Sequence, residues 1–367
     1  MAFRRPGVSV LLATTIALAL ALVGCSSGSG STDNGMTTAQ IGKLEQTSIT
    51  IAAVPTTDSA GLYVAEYDGL FDKYGLHVKI VPAISAEQSI NQLALNQIQI
   101  VSGNYVSAIQ AQINYDNGVK PVNVPFPPGP NDSQISANLD VFAEASVMQP
   151  GFVGLFTPVG STIKTISQIK GKTIGINAPG NVAYLLVAGF MKANGLPVPP
   201  PDSSLFKIIP FPDMEAALIQ GKVDVAFLAE PFVSISEDTA GVTELTNMDQ
   251  GATTAFPIQG YMATKSYAKS HPNTMAAFET ALEQGQQIAT TNHTVAEAAT
   301  VKYGLLPNMP PNTTVKFANQ IAALLQFETY PTGPVDITRL KRVASVMTQF
   351  GVSKIPSNFS VSQLLGD

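Results

Sequence analysis

Ser48-Ile49-Thr50-Ile51-Ala52-Ala53-Val54, then Pro55-Thr56-Thr57-Asp58-Ser59, then Ala60-Gly61-Leu62-Tyr63-Val64-Ala65-Glu66-Tyr67 is the stretch from which the fold is read. Its first seven residues alternate as a strand does, the next five are turn formers and helix caps, and the last eight carry helical spacing. A helical turn ending near Gly75 follows, then a strand over 76–81, a helix over 86–96 and a strand over 98–102. Strands alternating with helices predict an α/β fold with a mostly parallel, covered sheet. The rhythm restarts downstream with a strand over 172–177, a helix over 181–194, a strand over 206–209, a helix over 213–220, a strand over 223–228 and a helix opening at Glu230-Pro231. Two α/β units are therefore expected. Between them a Pro-rich stretch over 121–130 reads as a surface loop, and strand-like runs at 139–145 and 152–156 carry the chain from one unit to the other. After Gln259-Gly260-Tyr261-Met262-Ala263-Thr264 the pattern is almost wholly helical, over 273–291, 294–303, 313–327 and 336–350, a tail of the kind that covers an existing sheet.

Upstream of the first strand, Arg4 and Arg5 precede an apolar run over 8–23 that ends in Leu22-Val23-Gly24-Cys25, and Cys25 is the only cysteine. Ser26-Ser27-Gly28-Ser29-Gly30-Ser31-Thr32 then has the composition of a flexible tether. The order predicts a lipoprotein signal peptide over 1–24, lipid attachment at Cys25, a tether over 25–47, and an extracytoplasmic protein anchored to the cell membrane. An ordinary secretory signal or an uncleaved anchor is the plainer alternative, and it leaves the placement of the sole cysteine unexplained. Once Cys25 is acylated, no thiol remains for a disulfide, a nucleophile or a metal site. Loss of residues 1–24 removes Arg4 and Arg5 and no acid, so the formal charge of −6 becomes −8. That balance argues against nucleic acid as a partner and against electrostatic adhesion to anionic lipid.

Ile51-Ala52-Ala53-Val54-Pro55 followed by Gly61-Leu62-Tyr63-Val64-Ala65-Glu66-Tyr67-Asp68-Gly69-Leu70-Phe71-Asp72-Lys73-Tyr74-Gly75-Leu76-His77-Val78 resembles the opening of the solute-binding proteins for nitrate, aliphatic sulfonates, taurine and thiamine-pyrimidine precursors. Further segments extend the resemblance in the same order: Ser167-Gln168-Ile169-Lys170-Gly171-Lys172-Thr173-Ile174-Gly175-Ile176, Ala216-Ala217-Leu218-Ile219-Gln220-Gly221-Lys222-Val223-Asp224-Val225-Ala226, Ala229-Glu230-Pro231-Phe232 and Ala268-Lys269-Ser270-His271-Pro272. The resemblance implies the two-lobe clamshell of the type 2 periplasmic binding proteins, closing on a small molecule in its cleft, with the first lobe over 48–145 plus 264–367 and the second over 146–263. It also implies a monomer that needs no cofactor, whose partners are a small-molecule solute, an ABC permease and its ATPase. The Pro-rich stretch over 121–130 departs from the family pattern, in which a plainer connection is expected.

Ligands of open α/β sheets sit beyond the carboxyl ends of strands, where helix N-termini offer unpaired N–H groups. Five segments take that position, and they nominate Thr57, Asp58, Ser59, Ser102, Asn104, Tyr105, Asn177, Gly180, Asn181, Glu230, Gln259 and Tyr261 as ligand-binding residues. Each has a purely structural reading beside the functional one: Asp58 and Ser59 as helix caps, Gly180 as a turn former, Glu230 as an anchor before Pro231, and the two tyrosines as core. A tyrosine just past a strand end is expected to place its hydroxyl at an opening. Arg339 and Arg342 are the only arginines beyond residue 24, and both lie far in sequence from these segments, so a bidentate arginine clamp is not expected. Two ligand classes remain, a sulfonate-like or nitrate-like anion held by N–H groups and hydroxyls, or a heterocycle stacked on tyrosine with Asp58 or Glu230 as acceptor.

Enzymatic patterns are weak. His77, His271 and His293 are scattered without metal-ligand spacing, so no metal site is expected. Gly24-Cys25-Ser26-Ser27-Gly28 matches a nucleophile elbow only by falling on the lipidation site. Gly171-Lys172-Thr173 imitates the end of a phosphate loop, but Ile166 stands where the first glycine is needed. A membrane-tethered hydrolase and a ligand-sensing lipoprotein are the competing function classes. Turnover of a substrate distinguishes the first, and ligand-dependent stimulation of a permease ATPase distinguishes transport from sensing.

Overall fold

The computed structural model describes residues 41–122, 135–308, 315–351 and 355–366. The signal peptide, Cys25, most of the tether and most of the Pro-rich stretch lie outside them. The chain runs through β1 (Ser48–Ala53), α1 (Ala60–Tyr67), α2 (Leu70–Lys73), β2 (His77–Pro82), α3 (Ala86–Ala94), β3 (Ile100–Asn104), α4 (Tyr105–Asp116) and β4 (Leu139–Val147). It continues through β5 (Val153–Thr157), β6 (Ile174–Ile176), α5 (Val182–Ala193), β7 (Phe206–Ile208), α6 (Phe211–Ile219), β8 (Val225–Ala229), α7 (Phe232–Ala240) and β9 (Thr243–Asn247). It ends with β10 (Pro257–Thr264), α8 (Lys265–Ser270), α9 (Pro272–Thr291), α10 (His293–Ala299), α11 (Val315–Ala322) and α12 (Ile337–Phe350).

Two five-stranded sheets result, in the orders β2-β1-β3-β10-β4 and β7-β6-β8-β5-β9. β1 pairs parallel with β2 and β3, and β6 pairs parallel with β7 and β8, as the strand-helix rhythm predicts. β10 and β5 are the antiparallel members, each flanked by two strands of its own sheet. β10 therefore belongs to the first sheet, whereas the sequence reading places residues up to 263 in the second lobe. The reason is non-local: β10 returns between β3 and β4, a pairing that no run of neighbouring residues announces. The sequence reading also passes over α4, which starts on the residue after β3 because Asn104 caps it, with its Oδ1 accepting from the Ser107 N–H at 2.9 Å.

The late helices do not all pack against the first sheet. α12 lies against both α4 and α5, and α11 lies against α7. α11 also stops at Ala322, short of the expected helix over 313–327, and the chain beyond it runs extended to pair Thr329 with Val147 at the end of β4. On the outer face of the first sheet α1 packs on α9 through a glycine contact. A Cβ on Gly285 would stand 2.3 Å from the Gly61 carbonyl oxygen and 2.8 Å from the Ala65 nitrogen, so the two backbones touch only because both positions lack side chains. Beneath this contact Phe71 and Phe278 stack with centroids 5.0 Å apart. Gly285→Val is expected to destabilise the protein by about 3 kcal/mol, because the atoms it meets are backbone and the Ala65 Cβ, which cannot turn away. A urea midpoint equal to that of the wild type would refute the close approach.

Candidate functional site

One cavity is lined from both sheets. Thr56, Asp58, Asn104 and Gln259 reach it from the first, and Phe152, Asn177, Asn181, Phe211 and Phe227 from the second or the strand ends that lead into it. It is narrow, about 40 Å³ measured as space open to the centre of a water molecule, which is room for about three waters. Among the described residues, no lysine, arginine or histidine lines it.

Five of the nominated residues line this cavity: Asp58, Asn104, Asn177, Asn181 and Gln259. Helix capping explains the placement of Asn104 and Asn181. Asn181 caps α5, its Oδ1 accepting from the Tyr184 N–H at 3.2 Å, while its Nδ2 donates to Asn177 Oδ1 at 2.9 Å. Gln259 is brought beside Asn104 by the β10–β3 register, and its Nε2 donates to Ser102 Oγ at 2.8 Å. Ser59 and Ser102 face each other at 3.1 Å, one layer behind the lining.

The other nominated residues hold the walls. Thr57 donates its N–H to the Glu230 carbonyl at 3.1 Å and its hydroxyl to Glu328 at 3.2 Å. Gly180, with φ of +67°, lends its carbonyl to Gln110 Nε2 of α4 at 2.9 Å. Glu230 is buried and turned to the protein: Ser234 Oγ donates to it at 2.8 Å, and the Ser234 and Gln326 N–H groups at 3.2 and 3.3 Å. Burial pushes its carboxyl up to about 7. Tyr105 and Tyr261 are 1% and 0% exposed, Tyr105 against Gly260 and Tyr261 edge-on to Phe278, so neither presents its hydroxyl at an opening. Tyr105 is the first residue of α4 and Tyr261 is interior to β10, positions where the side chain turns to the core.

Behind Asp58 stands a feature that sequence reading missed. Both of its carboxyl oxygens accept, one from Thr56 Oγ1 at 2.8 Å and the other from Ser146 Oγ. Glu328, buried at the same spot, is hydrogen bonded to Asp58, and its Oε2 lies 2.9 Å from the Tyr330 hydroxyl, which itself is 2.8 Å from the Thr57 carbonyl. Tyr330 has one proton for two acceptors, so the arrangement is satisfied when Glu328 carries a proton. Burial raises both groups, Asp58 to about 6 and Glu328 well above the ordinary carboxylate range, the latter also through the nearby Asp58 charge. In sequence Glu328 falls at the end of an apparent helix, and only Pro331 and Pro334 hint that the backbone there is extended. Glu87 is a second missed acid. Burial raises it, Ser107 Oγ bonds one of its oxygens, and the buried Oε2 has no partner. Both arginines of the described residues are spent elsewhere, Arg339 on Glu144 at 2.7 Å and Arg342 on the carbonyls of Ala252, Thr254 and Ala255.

A protein-family model, the NMT1-like family, matches residues 42–302. The chain belongs to that family. No curated protein sequence matches it. Among solved structures it is similar to the alkanesulfonate-binding protein SsuA from Xanthomonas axonopodis pv. citri bound to MOPS, with 15% identity and TM-score 0.63 over 88% of this chain and 98% of that one. The periplasmic nitrate-binding protein NrtA from Synechocystis PCC 6803 gives 15% identity and TM-score 0.63 over 86% and 84%. A zinc-bound ligand-binding component of an ABC-type import system from Staphylococcus aureus gives 14% identity and TM-score 0.64 over 87% and 96%. The fold is that of the periplasmic binding proteins.

The carboxyl pair has a signed consequence. Asp58 at about 6 stands above its ordinary 3.8, and Glu328 is also raised, so the folded state holds more protons than the unfolded state across that interval. Its contribution is complete below about pH 4 and is lost as pH rises through 6 and beyond, on the order of 3 kcal/mol for Asp58. Glu328→Gln, which removes one of the two raised carboxyls, is expected to flatten the fall in stability between pH 5 and 8. Urea titrations of both proteins across that range test it, and parallel curves would sink the assignment.

Proposed function

We propose that this chain is the extracytoplasmic solute-binding component of an ABC importer, anchored to the membrane by a lipid on Cys25. The observation that carries the reading is a single cavity whose polar lining is divided between two sheets, with Asp58, Asn104 and Gln259 on one side and Asn177 and Asn181 on the other. A molecule held there gains contacts from both sides only when the lobes are together, which is the differential affinity that couples binding to closure. The sulfonate-binding and nitrate-binding proteins of the same fold support a role in import. On this reading one lobe comprises about 48–147 and 257–366, the other about 148–256, and the protein works as a monomer that delivers its solute to a permease and its ATPase. The ligand contacts fall to the five cavity-lining residues, while Thr57, Ser59, Ser102, Gly180 and Glu230 shape the walls.

A tethered hydrolase fits the cavity less well. Asp58 has both oxygens occupied, and Ser59 and Ser102 bond each other and Gln259 with no base beside them. A sensing lipoprotein would use the same cavity, and stimulation of the partner ATPase by solute distinguishes it.

Two measurements test the proposal. Wild-type protein expressed in a bacterial envelope is expected in the detergent phase and Cys25→Ala in the aqueous phase, and acylation of the variant would defeat the lipoprotein reading. Small-angle scattering with any compound that thermal-shift screening identifies is expected to give a smaller radius of gyration. A bound compound with an unchanged curve would argue for a one-sided site. Compound at 100 times its dissociation constant adds about 2.7 kcal/mol of stability, enough for the screen to register.

A further inference from the structure

Four carboxyls stand at or beside the cavity. Asp58 lines it, Glu328 bonds Asp58 from behind, Glu230 follows the end of β8, and Glu87 accepts from the side chain of Asn104, itself part of the lining. Among the described residues none of the four forms an ion pair. The protein does pair a buried acid elsewhere: Glu144, whose side chain is 3% exposed, takes Arg339 at 2.7 Å. At the cavity, neutral donors serve instead. Asp58 is 4% exposed, and its oxygens accept from the Thr56 and Ser146 hydroxyls while Glu328 also bonds it. A carboxylate offers about four acceptor positions, so a further donor can be taken. Hydroxyls lower the cost of burying a carboxylate but leave its charge uncompensated. Burial raises Asp58 only to about 6, so at about pH 7.5 it is mostly ionised. Glu87 adds to the same field, since its buried Oε2 has no partner.

The remaining wall is aromatic. Phe152, Phe211 and Phe227 line it, and Phe211 packs on both Phe227, with centroids 6.3 Å apart, and Phe232, stacked at 5.6 Å. Aromatic faces attract a cation, more strongly where water is excluded, and they offer an anion nothing in place of its hydration. Helix N-termini are where an anion would be held instead, and the caps of α4 and α5 both line the cavity. Each of these ends already faces a side-chain acceptor. At α4 the Ser107 N–H goes to Asn104 Oδ1 and the Ser107 hydroxyl to Glu87, and at α5 the Tyr184 N–H goes to Asn181 Oδ1.

We propose that the cavity selects a small organic cation whose N–H group donates to Asp58 and whose remaining surface lies against Phe152, Phe211 and Phe227. The proposal rests on the solute-binding reading and names its ligand class. Room for about three waters suits a probe of about four non-hydrogen atoms. Calorimetry on the full chain in a neutral detergent, at about pH 7.5, tests it with guanidinium, urea and nitrate, which share nearly one planar shape and carry positive, no and negative charge. Propylammonium against propanol gives a second matched pair. At least one of the two cations is expected to bind about tenfold or more tightly than its uncharged counterpart, and nitrate is not expected to bind. Asp58→Asn keeps the shape of the side chain and removes its charge, so it is expected to weaken the bound cation about tenfold or more, with an unfolding midpoint no lower than that of the wild type. Should that variant fail to fold, the matched pairs in the wild type decide alone. Preference for urea, propanol or nitrate over the cations overturns this inference and leaves solute binding standing. Unchanged affinity of a folded Asp58→Asn for the cation also overturns it. Silence of every probe counts against both readings.

Discussion

The insertion of β10 between β3 and β4 is the constraint on which the rest of the molecule depends. Its register sets Gln259 opposite Asn104 and Tyr261 opposite Ser102. Because side chains alternate along a strand, a slip of one residue would turn Gln259 away from the cavity and bring Tyr261 out of the core. The same strand is the route by which the chain returns from the second sheet. One antiparallel pairing thus closes the first sheet, ends the excursion into the second, and aligns a polar group with the cap of α4.

That constraint also marks where the sequence stops being legible. The parallel strands β1, β2 and β3 and the helices between them are visible because each element declares itself within about ten residues, through alternation, turn formers and caps. β10 has the same local appearance, but its sheet is decided by partners more than 100 residues away. The site divides along the same line. Asn104 and Asn181 are recognisable as polar residues past strand ends, although the helix that Asn104 caps is not, and the structure sets both at the cavity. Glu230 has the same position in sequence, yet Ser234 and the Gln326 backbone take up its carboxyl. Nothing near Glu230 in sequence reveals that competitor. Tyr105 and Tyr261 fail for a simpler reason: a rule about strand ends does not apply to the first residue of a core-facing helix or to a strand interior.

Electrostatics explain why a cavity so rich in acids is tolerable. Each carboxyl near it is buried beside hydroxyl or amide donors, and raised protonation takes the place of a counter-cation. The alternative, an arginine at the site, is not used, because both arginines in the described residues neutralise Glu144 or clasp backbone carbonyls at the far end of α12. Positive charge is thus invested in holding the tail to the body and withheld from the cleft. Amides do the polar work there instead, and an amide, unlike a charged group, can be fixed as donor or acceptor by the single backbone N–H it accepts from.

The segment from Leu324 to Tyr330 gives the arrangement its mechanical coherence. It touches the second sheet's end where the Gln326 N–H meets Glu230, and the first sheet's end where Glu328 meets Asp58 and Thr57 and where Thr329 pairs with Val147. Thr57 closes the circuit, because its own N–H bonds the Glu230 carbonyl. On the proposed two-lobe reading, a movement of one lobe against the other acts on this segment as well as on the cavity. Asp58 lies on both, lining the cavity with the same carboxyl that Glu328 engages from behind. Asp58 and Glu328 are in this way joined through Thr57 to Glu230. A periodic pattern could not have revealed the link, since it joins three chain segments that meet only in the folded protein.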